Sequence, residues 1–150
     1  MLDPLCELAT RLLRVSAAVV SVPDDGRVRV IGSHGFDDGA RRWGATPLTL
    51  GLGQHGWVAG EVLAVRDLAR RASMAADPVH AQQGFRALLA LPVRVAGEVL
   101  GTLCALAREP RVWSPQNQRD LALAAAMMER RLAAQICRSR ADESAAERLL

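Results

Sequence analysis

The chain has 150 residues, half of them hydrophobic, which suffices for one domain with a buried core and excludes wholesale disorder. The net charge is +3, and the basic residues are scattered arginines without interleaved aromatic side chains, so nucleic acid is not an expected partner. No apolar run approaches the roughly 20 residues of a membrane helix, and no membrane association is expected. Three widely spaced cysteines and an N-terminus without a signal-peptide pattern predict a cytoplasmic protein.

The N-terminal segment predicts a helix. Asp3 is a favourable N-cap, and Pro4 stands at the first helical position, where the missing N–H costs nothing. Leu5, Leu8 and Leu12 then recur at helical spacing, which gives the helix one apolar face.

A β-hairpin is predicted directly after this helix. Residues 15–22 are small and β-branched, which favours a strand. Asp25-Gly26 is the strongest short hairpin signal, and a return strand runs from Val28 towards Ser33.

Polar, glycine-rich segments occupy the middle of the chain. Residues 35–50 predict a surface loop, and a short helix is expected to start near Gln54. Residues 61–66 predict a strand, after which Asp67 caps a helical turn, and residues 71–84 form a second irregular stretch.

A second hairpin is predicted around Ala96-Gly97, with strands at residues 85–95 and 99–106. Gly97 suits a left-handed position after a type I turn. Pro92 has no N–H to donate to the ladder, so a bulge or a locally unpaired edge is expected there.

The C-terminal segment predicts a long helix. Ser114-Pro115 repeats the N-cap and first-position proline, and the helical pattern continues to at least Cys137. Residues 1–137 are therefore expected to form one domain, and residues 138–150 a charged helical extension or a frayed tail.

Residues 121–128 are apolar on all sides, which indicates burial on more than one face. One face can cover the domain's own sheet, and a second chain is the simplest cover for the other. A homodimer is therefore predicted. Its candidate interface residues lie on the first and last helices: Leu5, Leu12, Leu121, Ala125, Met128, Leu132 and Ile136.

The order of these elements resembles a GAF domain, the small-molecule sensor module of signalling proteins. One local match is the sequence from Gly56 to Asp67, a glycine- and valine-containing helix followed by a strand that ends in aspartate. The other is the second hairpin, from Leu91-Pro92-Val93 through Leu100-Gly101-Thr102 to Trp113-Ser114. The resemblance covers residues 5–136 and is specific for the fold, whereas it names no ligand.

The resemblance implies an α+β sandwich of the GAF and PAS kind. Its sheet would have five or six antiparallel strands, with the terminal helices on one face. A pocket is expected on the other face, roofed by residues 35–60 and 67–87. Dimerisation through the terminal helices is also implied, as is a signalling output domain or protein as a partner.

The same resemblance suggests which side chains close on a ligand. Trp57 and Arg86 are expected nearest the contents of the pocket, and Arg86 would pair with an anionic group. Core packing explains Trp57 and Phe85 equally well. The candidate ligand-binding residues are Trp57, Arg86, His55, His34, Trp43, Phe85, His80 and Met74.

Cofactor and catalytic patterns of the family are largely missing. Some GAF domains bind haem through a histidine, and His80 is the nearest match, but haem is not expected because no supporting motif surrounds it. Residues 67–87 hold no cysteine, so no bilin is expected, and the absence of lysine excludes the cyclic-nucleotide motif. The pocket loops also lack the cysteines of GAF reductases, and no histidine stands at metal-ligand spacing.

These patterns leave four hypotheses. The first is a non-enzymatic sensory or regulatory domain that binds a small molecule and signals through dimeric terminal helices. The others are a structural dimerisation module without a ligand, a haem-binding sensor and an enzyme on the same scaffold. Converging polar groups in the pocket lining would favour the first over the second.

Overall fold

The computed structural model describes residues 2–36, 61–71 and 84–149. Within these residues, two α-helices and five strands follow one another in the chain order α1, β1, β2, β3, β4, β5, α2. Their bounds are α1 Asp3–Leu13, β1 Ala17–Asp24, β2 Arg27–His34, β3 Leu63–Val65, β4 Ala87–Val95, β5 Glu98–Ala107 and α2 Pro115–Arg148. A 3-10 turn at Leu68–Arg70 follows β3.

The strands form one antiparallel sheet in the order β2-β1-β5-β4-β3. Both helices pack on one face, where Leu5, Cys6 and Ala9 of α1 meet Leu121 and Met128 of α2 over the sheet. This confirms the predicted α+β fold with the terminal helices together on one face.

The first helix starts differently from the prediction. Leu2 is its N-cap, without a side-chain hydrogen bond, and Asp3 already belongs to the helix. The Asp3 carboxylate instead accepts a hydrogen bond of 2.9 Å from the backbone N–H of Ser33. Asp3 therefore ties the start of α1 to β2, and the capping prediction for it is wrong.

The hairpin turns both use left-handed backbone at two positions. Asp25 and Gly26 have φ of 52° and 76°, as the predicted two-residue hairpin requires. Ala96 and Gly97 have φ of 54° and 81°, so this turn is also of the primed type and the type I turn predicted before Gly97 is wrong. The primed turn follows from the two-residue loop, because Val95 pairs directly with Glu98.

Pro92 is accommodated in β4 by one of the two predicted alternatives, a locally unpaired edge, and a bulge lies close by. A register irregularity lies between Val93 and Arg94. Among the described strands, β3 pairs with β4 only at residues 88–90, so Pro92 lies beyond that pairing. The missing N–H therefore leaves no ladder bond to β3 unmade.

The last helix is longer than the minimum that the sequence indicates, since α2 continues unbroken through residues 138–148. The Ser114 hydroxyl accepts from the Asn117 backbone, and the Asn117 side chain accepts from the Ser114 backbone, so a capping box starts the helix.

Four of the seven candidate interface residues lie in the core of the single chain. Leu5, Leu121, Ala125 and Met128 are at most 6% exposed and pack on the sheet or on the other helix. Their burial leaves at most a small part of each side chain for contact with a partner chain. The exposed large apolar side chains within α1 and α2 are instead Leu12, Leu123 and Met127, of which the predicted set contained only Leu12.

Candidate functional site

The sheet face opposite the helices is the candidate binding face. Because strand side chains alternate, residues 17, 19 and 21 of β1 and residues 102, 104 and 106 of β5 share this face with residues 88, 90 and 92 of β4. Most are apolar and buried, in a cluster that also takes Val65, Leu68 and Phe85 from the neighbouring segments.

Polar groups interrupt this apolar face where the pairing of β1 with β5 ends. Ser21 of β1 is 6% exposed and stands opposite Thr102 of β5, which is 1% exposed. Cys104, two residues along β5, is also buried. Two hydroxyls and a thiol thus lie on adjacent strands of an otherwise apolar face, and among the described residues no buried side-chain oxygen or nitrogen lacks a hydrogen-bond partner.

Phe85 lies just before β4 and is fully buried. The ring of Phe36 packs edge-on against it at a centroid distance of 5.5 Å. The guanidinium carbon of Arg108 lies 4.5 Å from the centre of the Phe85 ring. Phe85 therefore belongs to a packed cluster of aromatic and cationic side chains. This environment is the one expected if Phe85 serves core packing and not ligand binding.

Arg86 makes a two-point ion pair within the chain. Its Nε and Nη2 donate to the two carboxylate oxygens of Asp67 at 2.8 and 2.7 Å. Asp67 is the N-cap of the 3-10 turn, as predicted, and accepts from the backbone N–H of Ala69. The hydrogen bonds from Arg86 lower the pKa of the Asp67 carboxyl from 3.8 to about 2. Two N–H groups of the Arg86 guanidinium are thus already hydrogen-bonded to Asp67.

Of the remaining candidate binding residues, the structure describes only His34. His34 is exposed at the end of β2, which is an edge strand of the sheet, and so lies away from Ser21 and Thr102. The other candidates, and the cavity that they were expected to enclose, lie outside the described residues: Trp43, His55, Trp57, Met74 and His80.

A junction that the sequence did not predict joins β3 to both helices. The Arg111 guanidinium donates to the backbone oxygens of Leu13 and Arg14 at 2.7 and 3.2 Å, at the end of α1. Its backbone N–H donates to the Arg66 oxygen. Next to the start of α2, the Trp113 indole N–H donates to the Val65 oxygen at 3.1 Å. Burial lowers the pKa of Arg111, which remains a cation at neutral pH.

Neither Asp67–Arg86 nor the Arg111 junction has a local sequence signal, because their partners are 19 to 98 residues apart. The three cysteines differ in their burial. Cys6 and Cys104 are buried, and burial raises the pKa of the Cys6 thiol to about 12, so Cys6 stays an unreactive thiol. Cys137 is exposed on α2.

Among residues 2–36, 61–71 and 84–149, no three His, Cys, Asp or Glu side chains are grouped closely enough to hold a metal ion. Within the same residues, neither helix combines the length and apolarity that crossing a bilayer demands.

The five-stranded antiparallel sheet, with both terminal helices on one face, defines an α+β domain of the GAF kind. A family model described as GAF domain matches residues 1–132. The chain belongs to the GAF family, whose members are typically sensory or regulatory modules.

Solved GAF structures share this fold at low sequence identity. The GAF domain of a phosphoenolpyruvate-protein phosphotransferase from Coxiella burnetii has a TM-score of 0.75 and 19% identity, over 95% of this chain and 84% of that chain. The photoproduct state of a GAF domain from a Synechocystis protein has a TM-score of 0.71 and 18% identity, over 91% and 94%. No curated protein matches the chain.

An enzyme is also known with this fold. A type II free methionine-R-sulfoxide reductase from Thermoplasma acidophilum has a TM-score of 0.64 and 15% identity, over 83% of this chain and 82% of that chain. At such identities the likeness establishes the fold alone, and function must be argued from the side chains.

Proposed function

We propose that this domain is a non-enzymatic, cytoplasmic sensor that binds a small molecule on the sheet face opposite its helices. The observation that carries the proposal is the buried pair Ser21 and Thr102, with Cys104 beside it, on that face. A few polar groups within an apolar lining are the usual composition of a small-molecule site, since they orient the ligand while the apolar area supplies affinity.

The Arg111 junction offers a route from this face to the helices. Val65 belongs to the buried cluster of the binding face, and its backbone oxygen accepts from Trp113 next to the start of α2. Arg111 ties the same connector to the end of α1. A ligand that shifts β3 would therefore displace both terminal helices together, which is the output that a dimeric sensor needs.

Homodimerisation through the terminal helices is part of this proposal, with the interface revised. Leu123 and Met127 are four residues apart on α2 and are 56% and 41% exposed, so they form one apolar stripe. Leu132 and Ile136 from the predicted set line a groove of about 430 Å³ between α2 and the first hairpin. Leu12, Leu123 and Met127 give a partner chain apolar surface that the domain itself does not cover, whereas Leu132 and Ile136 are only partly exposed.

A structural dimerisation module without a ligand is the second candidate. The observation that favours it is the packing of Phe85, which is fully buried between Phe36 and Arg108. If the whole face is packed in this way, no space remains for a small molecule.

Two measurements separate these candidates. Native mass spectrometry of freshly purified protein reports bound ligand and dimer mass. A thermal-shift screen of small organic anions and aromatic metabolites is then run on the wild type, on Thr102→Val and on a matched control, Thr10→Val. Thr10 is likewise buried, but its hydroxyl donates within α1, to the Glu7 oxygen.

The sensor proposal expects at least one compound whose stabilisation is lost in Thr102→Val and kept in Thr10→Val. A ligand at a hundredfold excess over its Kd stabilises by about 2.7 kcal/mol, which a thermal shift resolves easily. A dimer that carries no ligand and responds to no compound in the screen would support the structural module instead.

A further inference from the structure

Arginines from four separate parts of the chain meet around Pro110, which follows β5. We call this group the arginine edge; it comprises Arg14, Arg66, Arg70, Arg71, Arg86, Arg108 and Arg111. The acidic residues that line the same surface are Asp67 and Glu109. Seven positive and two negative groups give a net charge of +5, whereas the other ten arginines and eleven acids of the described residues give −1. The positive charge of the described residues is thus concentrated on this surface.

Two clefts indent the arginine edge, and Pro110 lines both of them. One cleft has a volume of about 510 Å³ and is bordered by Arg66, Arg70 and Arg71. The other has a volume of about 530 Å³ and is bordered by Arg14, Arg108 and Arg111. Both volumes lie in the range of small-molecule sites, and each cleft presents three arginines.

The first cleft keeps cationic groups available for a ligand. Its acid, Asp67, is already neutralised by Arg86 at 2.7 Å, and Arg70 lies 3.7 Å away with an 89% exposed side chain. Arg66 and Arg71 are exposed and form no ion pair with the described residues. Guanidinium groups in this number suit phosphoryl oxygens, which accept the paired N–H bonds of the arginine fork.

We infer that the arginine edge is a second binding site, which takes a compact polyanion with two or more linked phosphoryl groups. Concave clefts favour a small ligand over an extended duplex. No aromatic side chain is among the exposed large apolar groups of the described residues, so bases would find no stacking platform there. The face of Trp113 is itself taken, because the Arg111 guanidinium carbon lies 4.7 Å from its ring centre.

Inorganic tripolyphosphate is the probe for this site, with binding measured by isothermal titration calorimetry at physiological salt. The test variant is Arg66→Gln with Arg71→Gln. The matched control is Arg138→Gln with Arg140→Gln, which removes the same charge from exposed positions on α2. Thermal unfolding without the probe verifies that both double variants are folded.

The inference expects tripolyphosphate to bind the wild type and to lose at least about tenfold in affinity in the test variant, since charge-assisted hydrogen bonds disappear. The control should lose less than about twofold. Equal losses in both variants, or no binding to the wild type, would overturn it. So would tighter binding of a single-stranded DNA oligonucleotide at equal phosphate concentration, because that result assigns the surface to nucleic acid.

Discussion

Arg86 and Asp67 bring together two segments that are 19 residues apart, with both carboxylate oxygens of Asp67 engaged by one guanidinium. The Asp67 side chain is only 8% exposed, while that of Arg86 is 38% exposed. A backbone hydrogen bond also joins the two segments, since the Leu68 N–H donates to the Arg86 oxygen at 2.6 Å. The pair thus fixes the 3-10 turn after β3 to the start of β4.

This pair predicts a pH dependence of stability. Because the folded state lowers the pKa of Asp67 from 3.8 to about 2, its contribution to stability is complete above pH 3.8 and is lost as the pH falls towards 2. Asp67→Asn should therefore lower the melting temperature at neutral pH. The difference from wild type should shrink as the pH falls through that window.

Thermal unfolding from pH 7 down to pH 2 checks this prediction. Asp24→Asn is the control, because the Asp24 side chain is 58% exposed and its contact with Arg29 is 3.6 Å long. A gap between wild type and Asp67→Asn that stays constant with pH would show that the ion pair contributes nothing.

The fold could be predicted in detail where the signal is local. Asp25-Gly26 needs only its own backbone preferences to place the first hairpin, and Ser114-Pro115 needs only its neighbours to start α2. Asp3 shows where prediction from local sequence fails. Its carboxylate accepts a hydrogen bond from a residue 30 positions away in β2 instead of capping its own helix.

The candidate site was less predictable for the same physical reason. Arg86 was predicted to pair with an anionic group of a ligand, and the sequence could not indicate that Asp67 is its partner within the chain. Ser21 and Thr102 were overlooked altogether, because only the register of β1 against β5 brings them opposite each other. Helical periodicity likewise found the apolar stripe of α2, but not whether it meets the sheet or a second chain.

Met127 and Met128 are adjacent on α2 and face different surroundings. Met128 is fully buried, so Met128→Ala should destabilise the domain by about 2–5 kcal/mol through the cavity that it leaves. Met127 is 41% exposed, so Met127→Glu should leave the stability of the domain nearly unchanged and weaken the proposed dimer. Chemical denaturation measures the first effect, and light scattering measures the second.

The contrast between the two methionines also tests the revised interface. Leu123→Glu, on the same exposed stripe, should act as Met127→Glu does and shift the mass towards the monomer. A wild-type chain that is monomeric at high concentration would contradict the homodimer. A dimer that persists in both glutamate variants would place the interface elsewhere.

Ala96 holds a left-handed backbone conformation that an alanine side chain disfavours. Ala96→Asn should stabilise the domain by about 0.5–1 kcal/mol, because asparagine tolerates this conformation and suits the first position of a primed turn. The same substitution at the exposed helical position Ala141 should have the opposite sign, since asparagine is the poorer helix former. Denaturant midpoints of the two variants provide the comparison, and a destabilised Ala96→Asn would contradict the turn geometry.

Arg111 joins the C-terminal end of α1 to the segment that leads into α2. Arg111→Ala removes two hydrogen bonds from a charged donor to the Leu13 and Arg14 oxygens, which should cost about 2–3 kcal/mol and expose those carbonyls. Hydrogen exchange should then accelerate in the last turn of α1 and the first turn of α2, while the centre of β5 stays protected. Arg119→Ala is the control, because Arg119 is exposed on α2 and bonds only to its neighbour Gln116 among the described residues. Exchange that rises uniformly over the whole domain would mean that Arg111 contributes only to the global stability of the domain. The proposed route from β3 to the two helices would then have to pass through other residues.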